Sequence, residues 1–126
     1  MPKTWTIEMG LVEADLDKLD MSVRRRILAA IAKKLEVDPN AYGRPLGRRR
    51  DRNLAGMLKL TVGDDWRVAY WVVEETQTVV VGSIGPRRGE EVYKVASDRL
   101  QALQRGELGV QQATLAAVRE RFGISD

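Results

Sequence analysis

Four side chains between residues 59 and 93 suggest shared chemistry: Lys59, Arg67, Arg87 and Tyr93. Lys59 begins the run Lys59-Leu60-Thr61-Val62, and Arg67 opens Trp66-Arg67-Val68-Ala69-Tyr70-Trp71-Val72-Val73. Arg87 follows Gly85-Pro86, and Tyr93 comes six residues after it. Cations gathered on one surface hold phosphates and other anions. A second cluster lies upstream, where Arg44, Arg48, Arg49, Arg50 and Arg52 stand against one acid, Asp51. Such clustering favours a polyanion partner, although a solvated loop reads the same way. Each residue also has an ordinary reading. Arg67 is exposed or pairs with Asp64 or Asp65, Lys59 points to solvent, Arg87 and Arg88 decorate a turn, and Tyr93 packs in a core. The argument for a site is their joint placement on adjoining elements.

Those elements read as an antiparallel meander. Three β-rich runs, from Lys59, Trp66 and Thr78, are separated by Gly63-Asp64-Asp65 and by Glu74-Glu75-Thr76-Gln77. Such a sheet gathers Lys59, Arg67, Arg87 and Tyr93 on one concave surface. Upstream, Trp5, Ile7 and Met9 alternate with polar residues and predict a first strand. Leu16, Leu19, Val23, Ile27, Ile31 and Leu35 form an apolar stripe that predicts helix from Asp15 to Val37. Asp20 or Ser22 can cap a new helix there and turn it into a hairpin. Asp38-Pro39-Asn40 ends it. Ala41 to Arg52 reads as a Gly/Pro/Arg-rich loop, and Asn53 to Met57 as a short connection. Glu90 to Arg105 and Val110 to Phe122 read as helices, with Gly123 as a C-cap and a hinge between them.

The 126 residues suit one domain, and 44% hydrophobic content supports a packed interior. With no cysteine and no histidine, disulfides, thiolate chemistry, Ser-His triads and histidine–metal sites are excluded. Any catalysis falls to Lys, Arg, Tyr, Asp or Glu. No apolar run approaches a membrane span, and no signal-peptide pattern opens the chain. The expectation is a soluble cytoplasmic protein without membrane contact.

The chain resembles the RelE/ParE superfamily of toxins from type II toxin–antitoxin modules. The resemblance rests on Leu58-Lys59-Leu60, a turn, Trp66-Arg67-Val68-Ala69-Tyr70, and Val81-Gly82-Ser83-Ile84-Gly85-Pro86-Arg87-Arg88 running into Glu91-Val92-Tyr93. It covers about residues 3 to 100. It implies an α+β, microbial-RNase-like fold, with a twisted antiparallel sheet, an N-terminal helical hairpin and C-terminal helices. It implies a single toxin domain, which is expected over 1–126, and the helical pattern of 104–126 reads as a C-terminal extension without a counterpart in the family. It also implies a toxin acting as a ribosome-dependent mRNA endoribonuclease, without metal or other cofactor. The alternative is a ParE-like, non-enzymatic inhibitor of DNA gyrase. The implied partners are a cognate antitoxin, the ribosome and mRNA, with a toxin–antitoxin hetero-oligomer binding operator DNA.

Carried over by motif, Lys59 matches the family's proposed general base and Arg67 the arginine that stabilises developing phosphate charge. Arg87 matches a phosphate clamp or general acid, and Tyr93 the tyrosine that orients the nucleotide. Met57 stands where the family pattern has a second strand lysine. RNA supplies its own nucleophile, the 2′-hydroxyl, so a base and cations around the phosphate meet most of the chemical need. A guanidinium parts with its proton too reluctantly to be a good acid, which favours Arg87 as charge stabiliser. Arg44, Arg48, Arg49, Arg50, Arg52 and Arg88 are expected to bind RNA, those of the loop contacting ribosomal RNA rather than the scissile nucleotide. The apolar face of Val110 to Phe122 must bury somewhere: on this chain's own sheet or hairpin, over the groove, or in an antitoxin or second copy.

Overall fold

The computed structural model describes residues 4–49, 52–106 and 113–124, with side chains outside 46–55. Its strands are β1 (Thr6–Glu8), β2 (Arg44–Arg49), β3 (Arg52–Val62), β4 (Trp66–Val73) and β5 (Thr78–Pro86). They form one sheet in the order β1-β5-β4-β3-β2. From β2 to β5 every neighbour is antiparallel, as a meander requires. β1 instead pairs parallel with β5, Thr6 opposite Thr78. The sheet is therefore mixed at this edge. A parallel edge is open to β1 because helices separate it from the rest of the sheet in sequence.

Among the described residues, the arginine-rich stretch is not a loop. Pro39–Tyr42 forms a short helix, α3, and Arg44–Arg49 is an edge strand on β3. Pro45 favours an extended Arg44 before it, and an edge strand tolerates the amide that proline lacks. Asn53–Met57, expected as a connection, belongs to β3. Arg50 lies outside the described residues.

The hairpin expected before it is present as α1 (Glu13–Asp17) and α2 (Met21–Ala30), which continues into a π turn over Ile31–Leu35. Asp20 caps α2, accepting from the Val23 amide at 2.9 Å and the Ser22 hydroxyl at 3.1 Å. The Val23 amide, then the Ser22 hydroxyl, hold its carboxyl below the usual range. Arg24 closes the hairpin by donating to the Leu19 carbonyl and to the Leu16 carbonyl, which also accepts from the Leu19 amide.

Two cores flank the sheet. Leu16, Ile27, Leu28, Ile31 and Leu35 pack against Leu60, Val68, Tyr70, Val79, Val81 and Ile84. On the other face α4 (Glu91–Gln104) lays Val92, Tyr93 and Ala96 on Met57 and Ala69. One residue of β5 makes this two-sided packing possible. Ser83 pairs with Ala69 but Val81 pairs with Tyr70, so Gly82 is an extra, bulged residue. The bulge lets both Val81 and Ile84 reach the larger core while Ser83 and Gly85 turn toward α4. Gly82 must be glycine, since a Cβ there would crowd the Trp71 ring and Ala96. A last helix, α5 (Leu115–Arg121), returns to the first core through Leu115 and Val118.

Candidate nucleic-acid interface

Strand alternation places the cations. Leu60 and Val62 turn into the larger core, so Lys59 and Thr61 face the α4 side. On β4, Val68 and Tyr70 turn in, and Arg67 and Ala69 face the same way as Lys59. Register then aligns them in rows: Lys59, Ala69 and Ser83 in one, Thr61, Arg67 and Gly85 in the next. Lys59 and Arg67 are diagonal cross-strand neighbours, about 7–8 Å apart at the backbone. α4 covers the β5 side of these rows. The Ser83 hydroxyl donates to the Val92 carbonyl, fixing the helix's first turn over the sheet. Lys59 is left half-buried at the margin, and Thr61 is exposed.

Tyr93 packs with Met57 and Ala69, two neighbours of Lys59 on the same face, and is 6% exposed. It borders the cationic strip with little of its ring uncovered. Met57 is 2% exposed in the same cluster, which accounts for an apolar residue where a lysine would be desolvated. Arg87 lies at the turn end of the strip. Its amide donates to the Asp65 carbonyl at 2.8 Å, tying the chain after β5 to the β3–β4 turn. Arg87 and Arg88, with Asp65, Pro86 and Gly89, line an open depression of about 830 Å³. The fold thus brings Lys59, Arg67 and Tyr93 onto one face and sets Arg87 and Arg88 at its end.

The arginine cluster divides. Arg44 stands directly opposite Lys59 in register. Arg48 and Arg49 pair with Asn53 and Arg52 beyond an irregularity between Pro45 and Gly47. Among the described residues, Arg44, Lys59, Arg87 and Arg88 have no carboxylate partner. Arg67 donates to the Trp66 carbonyl at 2.9 Å and pairs with neither Asp64 nor Asp65. This is a strip of positive charge open to an anion. No group of three or more carboxylates is placed to hold a metal ion among the described residues, and no described helix is long and apolar enough to cross a membrane.

Two residues that position the strip have no local sequence signal. Asp15 and Arg99 form a two-pronged ion pair at 2.8 and 2.9 Å. Arg99 also donates to the Gly82 carbonyl at 2.9 Å, and Asp15 accepts from the Ile84 amide at 3.0 Å. These are backbone groups that the bulge withdraws from the ladder. The broken alternation at Gly82 was the one clue, and it points to the bulge rather than to its partners, 84 residues apart in sequence.

Comparison with known proteins gives consistent findings. A family model described as the ParE toxin of the type II toxin–antitoxin system, parDE, matches residues 10–91. Among solved structures, the toxin–antitoxin complex RelBE2 of Mycobacterium tuberculosis is similar at 27% identity and a TM-score of 0.58, over 67% of this chain and 92% of that one. A mutant of the E. coli toxin RelE in the free state matches at 20% identity and a TM-score of 0.49, over 77% of this chain and 98% of that one. No curated protein matches significantly.

Proposed function

The chain belongs to the ParE toxin family of type II toxin–antitoxin systems, and on that premise we propose that it is a toxin that cleaves messenger RNA bound to the ribosome. The observation that carries this reading is the strip of Lys59 and Arg67 on adjoining strands, bordered by Tyr93, with no acidic partner among the described residues. In the proposed reaction Lys59, in its neutral form, takes the proton of a 2′-hydroxyl. The freed oxygen attacks the neighbouring phosphorus, and Arg67 and Arg87 stabilise the charge that builds on the phosphoryl oxygens. The bond to the 5′-oxygen breaks, leaving a 2′,3′-cyclic phosphate and a 5′-hydroxyl. The proton from the 2′-hydroxyl is returned to that 5′-oxygen through solvent. Nothing is consumed, so no co-reactant enters. A set this sparse depends on the ribosome to orient the mRNA. The partner that silences the toxin is an antitoxin, as in the RelBE2 complex.

Induction of the protein should stop translation, and mapped 5′-ends should show cuts in ribosome-bound transcripts, with free RNA cut poorly. Arg67→Ala and Arg87→Ala should each lower cleavage by about 100-fold or more, the scale of losing one charge-stabilising donor. A second reading, inhibition of DNA gyrase, is favoured by the name of the matched family. Intact transcripts together with inhibited gyrase would establish it over the first.

A further inference from the structure

The cross-strand pair Arg44–Lys59 sets two cations directly opposite each other, as Arg49 and Arg52 are further along the same two strands. Residues directly opposite on antiparallel strands hold their Cβ atoms about 4.5–5.5 Å apart, and like charges there are destabilising. Here two cations face each other at register positions of β2 and β3. Neither has a carboxylate partner among the described residues to relieve the repulsion. Arg44 is exposed, so an anion can reach it.

Its position is also held firmly. The Tyr70 hydroxyl, buried in the larger core, donates to the Pro39 carbonyl at 2.6 Å. Gly43 closes over that hydroxyl, and any side chain at Gly43 would collide with it. The residue immediately before Arg44 therefore lies against Tyr70 of β4, and Arg44 enters β2 in register with Lys59. A rigid mount beneath two facing cations is a preorganised anion site.

We propose that Arg44 and protonated Lys59 clamp an RNA phosphate next to the cleaved bond as substrate binds, Arg44 keeping that contact when Lys59 gives up its proton to solvent and turns base, so that β2 supplies a substrate-contacting residue. The clamp rests on RNA being the substrate. It reassigns Arg44 from the ribosome-facing cluster to the cleavage strip, as the geometry of that row requires. Repulsion between the two cations in the free protein is relieved when a phosphate enters between them.

The test compares wild type, Arg44→Gln and Arg44→Lys in three measurements. These are melting temperature, affinity for a short oligoribonucleotide made uncleavable by a 2′-deoxy substitution, and cleavage of ribosome-bound mRNA. The clamp predicts that Arg44→Gln melts no lower than wild type, because a like-charge pair is removed. It should bind the oligonucleotide about 10- to 100-fold more weakly, the value of one charged hydrogen-bonding group. Its salt dependence should flatten by about one unit of slope. Arg44→Lys should recover most of the affinity. Wild-type affinity and cleavage in Arg44→Gln would overturn the clamp while leaving the endoribonuclease reading intact. A wild-type protein that neither binds the oligonucleotide nor cuts mRNA would overturn both. A lower melting temperature with unchanged affinity would assign Arg44 a structural role and overturn the clamp alone.

Discussion

At the scale of single residues, Tyr70 shows how burial and one hydrogen bond set a side chain's behaviour. The side chain is fully buried, and burial, with the Asp38 carboxylate adding to it, pushes its hydroxyl up to about 12. A tyrosine in the unfolded chain ionises near 10. Folding therefore favours the neutral form. The stability this contributes is complete below about pH 10 and is lost as pH rises through about 12. Tyr70→Phe should destabilise the protein by about 1–2 kcal/mol at pH 7, since the Pro39 carbonyl loses its donor. Urea melts of both proteins at pH 7, 9 and 11 should show the gap narrowing only at the highest pH. A gap constant through pH 11 would mean that the hydroxyl ionises alike in both states.

Among the elements, the bulge in β5 is where the two halves of the fold are joined. Asp15 comes from α1 and Arg99 from α4, and their ion pair straddles the bulge with side chains 11% and 22% exposed. A partly buried pair is costly to break one-sidedly, because the remaining charge and the Gly82 carbonyl lose their partner. Arg99→Leu should therefore cost about 2–4 kcal/mol. Arg121→Ala removes contacts to Asp17 and Glu13 at the surface and should cost under about 1 kcal/mol. Chemical denaturation of the two variants measures the contrast. Equal losses would show that the bulge does not depend on its ion pair. Because Gly85 lies opposite Arg67 just beyond the bulge, Arg99→Leu should also lower RNA cleavage by more than its loss of folded protein explains.

For the whole molecule, the fate of the chain's last segment decides how the domain closes. Leu115 and Val118 are 2% and 1% exposed within the larger core. Phe122 lies under the Arg24 guanidinium at 4.2 Å, over the hairpin that Arg24 itself locks. Glu8 accepts from the Gly10 and Ala113 amides, so the N-terminal strand and the returning segment share one carboxylate. Of the placements open to that apolar face, the fold takes this chain's own hairpin and first strand. Val110 lies outside the described residues. Truncation after Gln104 should cost about 3–5 kcal/mol, from the buried side chains lost and the cavity left behind. A truncated protein that melts like the full chain would show that α5 adds nothing to the core.

Local sequence was enough to read the first strand, the helical hairpin, the three runs of the meander and α4, with their inward faces. Period-two runs in β3, β4 and β5, and the stripe from Leu16 to Leu35, are local patterns set by which residues must leave water. It also determined the chemical repertoire, since a chain without histidine or cysteine has few groups to use, and the motif around Lys59, Arg67 and Arg87 carried the family. Tertiary structure decided what depends on partners distant in the chain. Composition made Arg44 to Arg52 look like a loop, because Gly, Pro and Arg weaken strand propensity. From Arg44 to Arg49, pairing with β3 overrode it, supplying the backbone hydrogen bonds that propensity leaves out of account. The parallel edge at β1, the Asp15–Arg99 pair and the facing of Arg44 and Lys59 are all set by register. Register is fixed by the packing of whole faces and shifts with a single bulged residue, Gly82, so no local stretch of sequence encodes it.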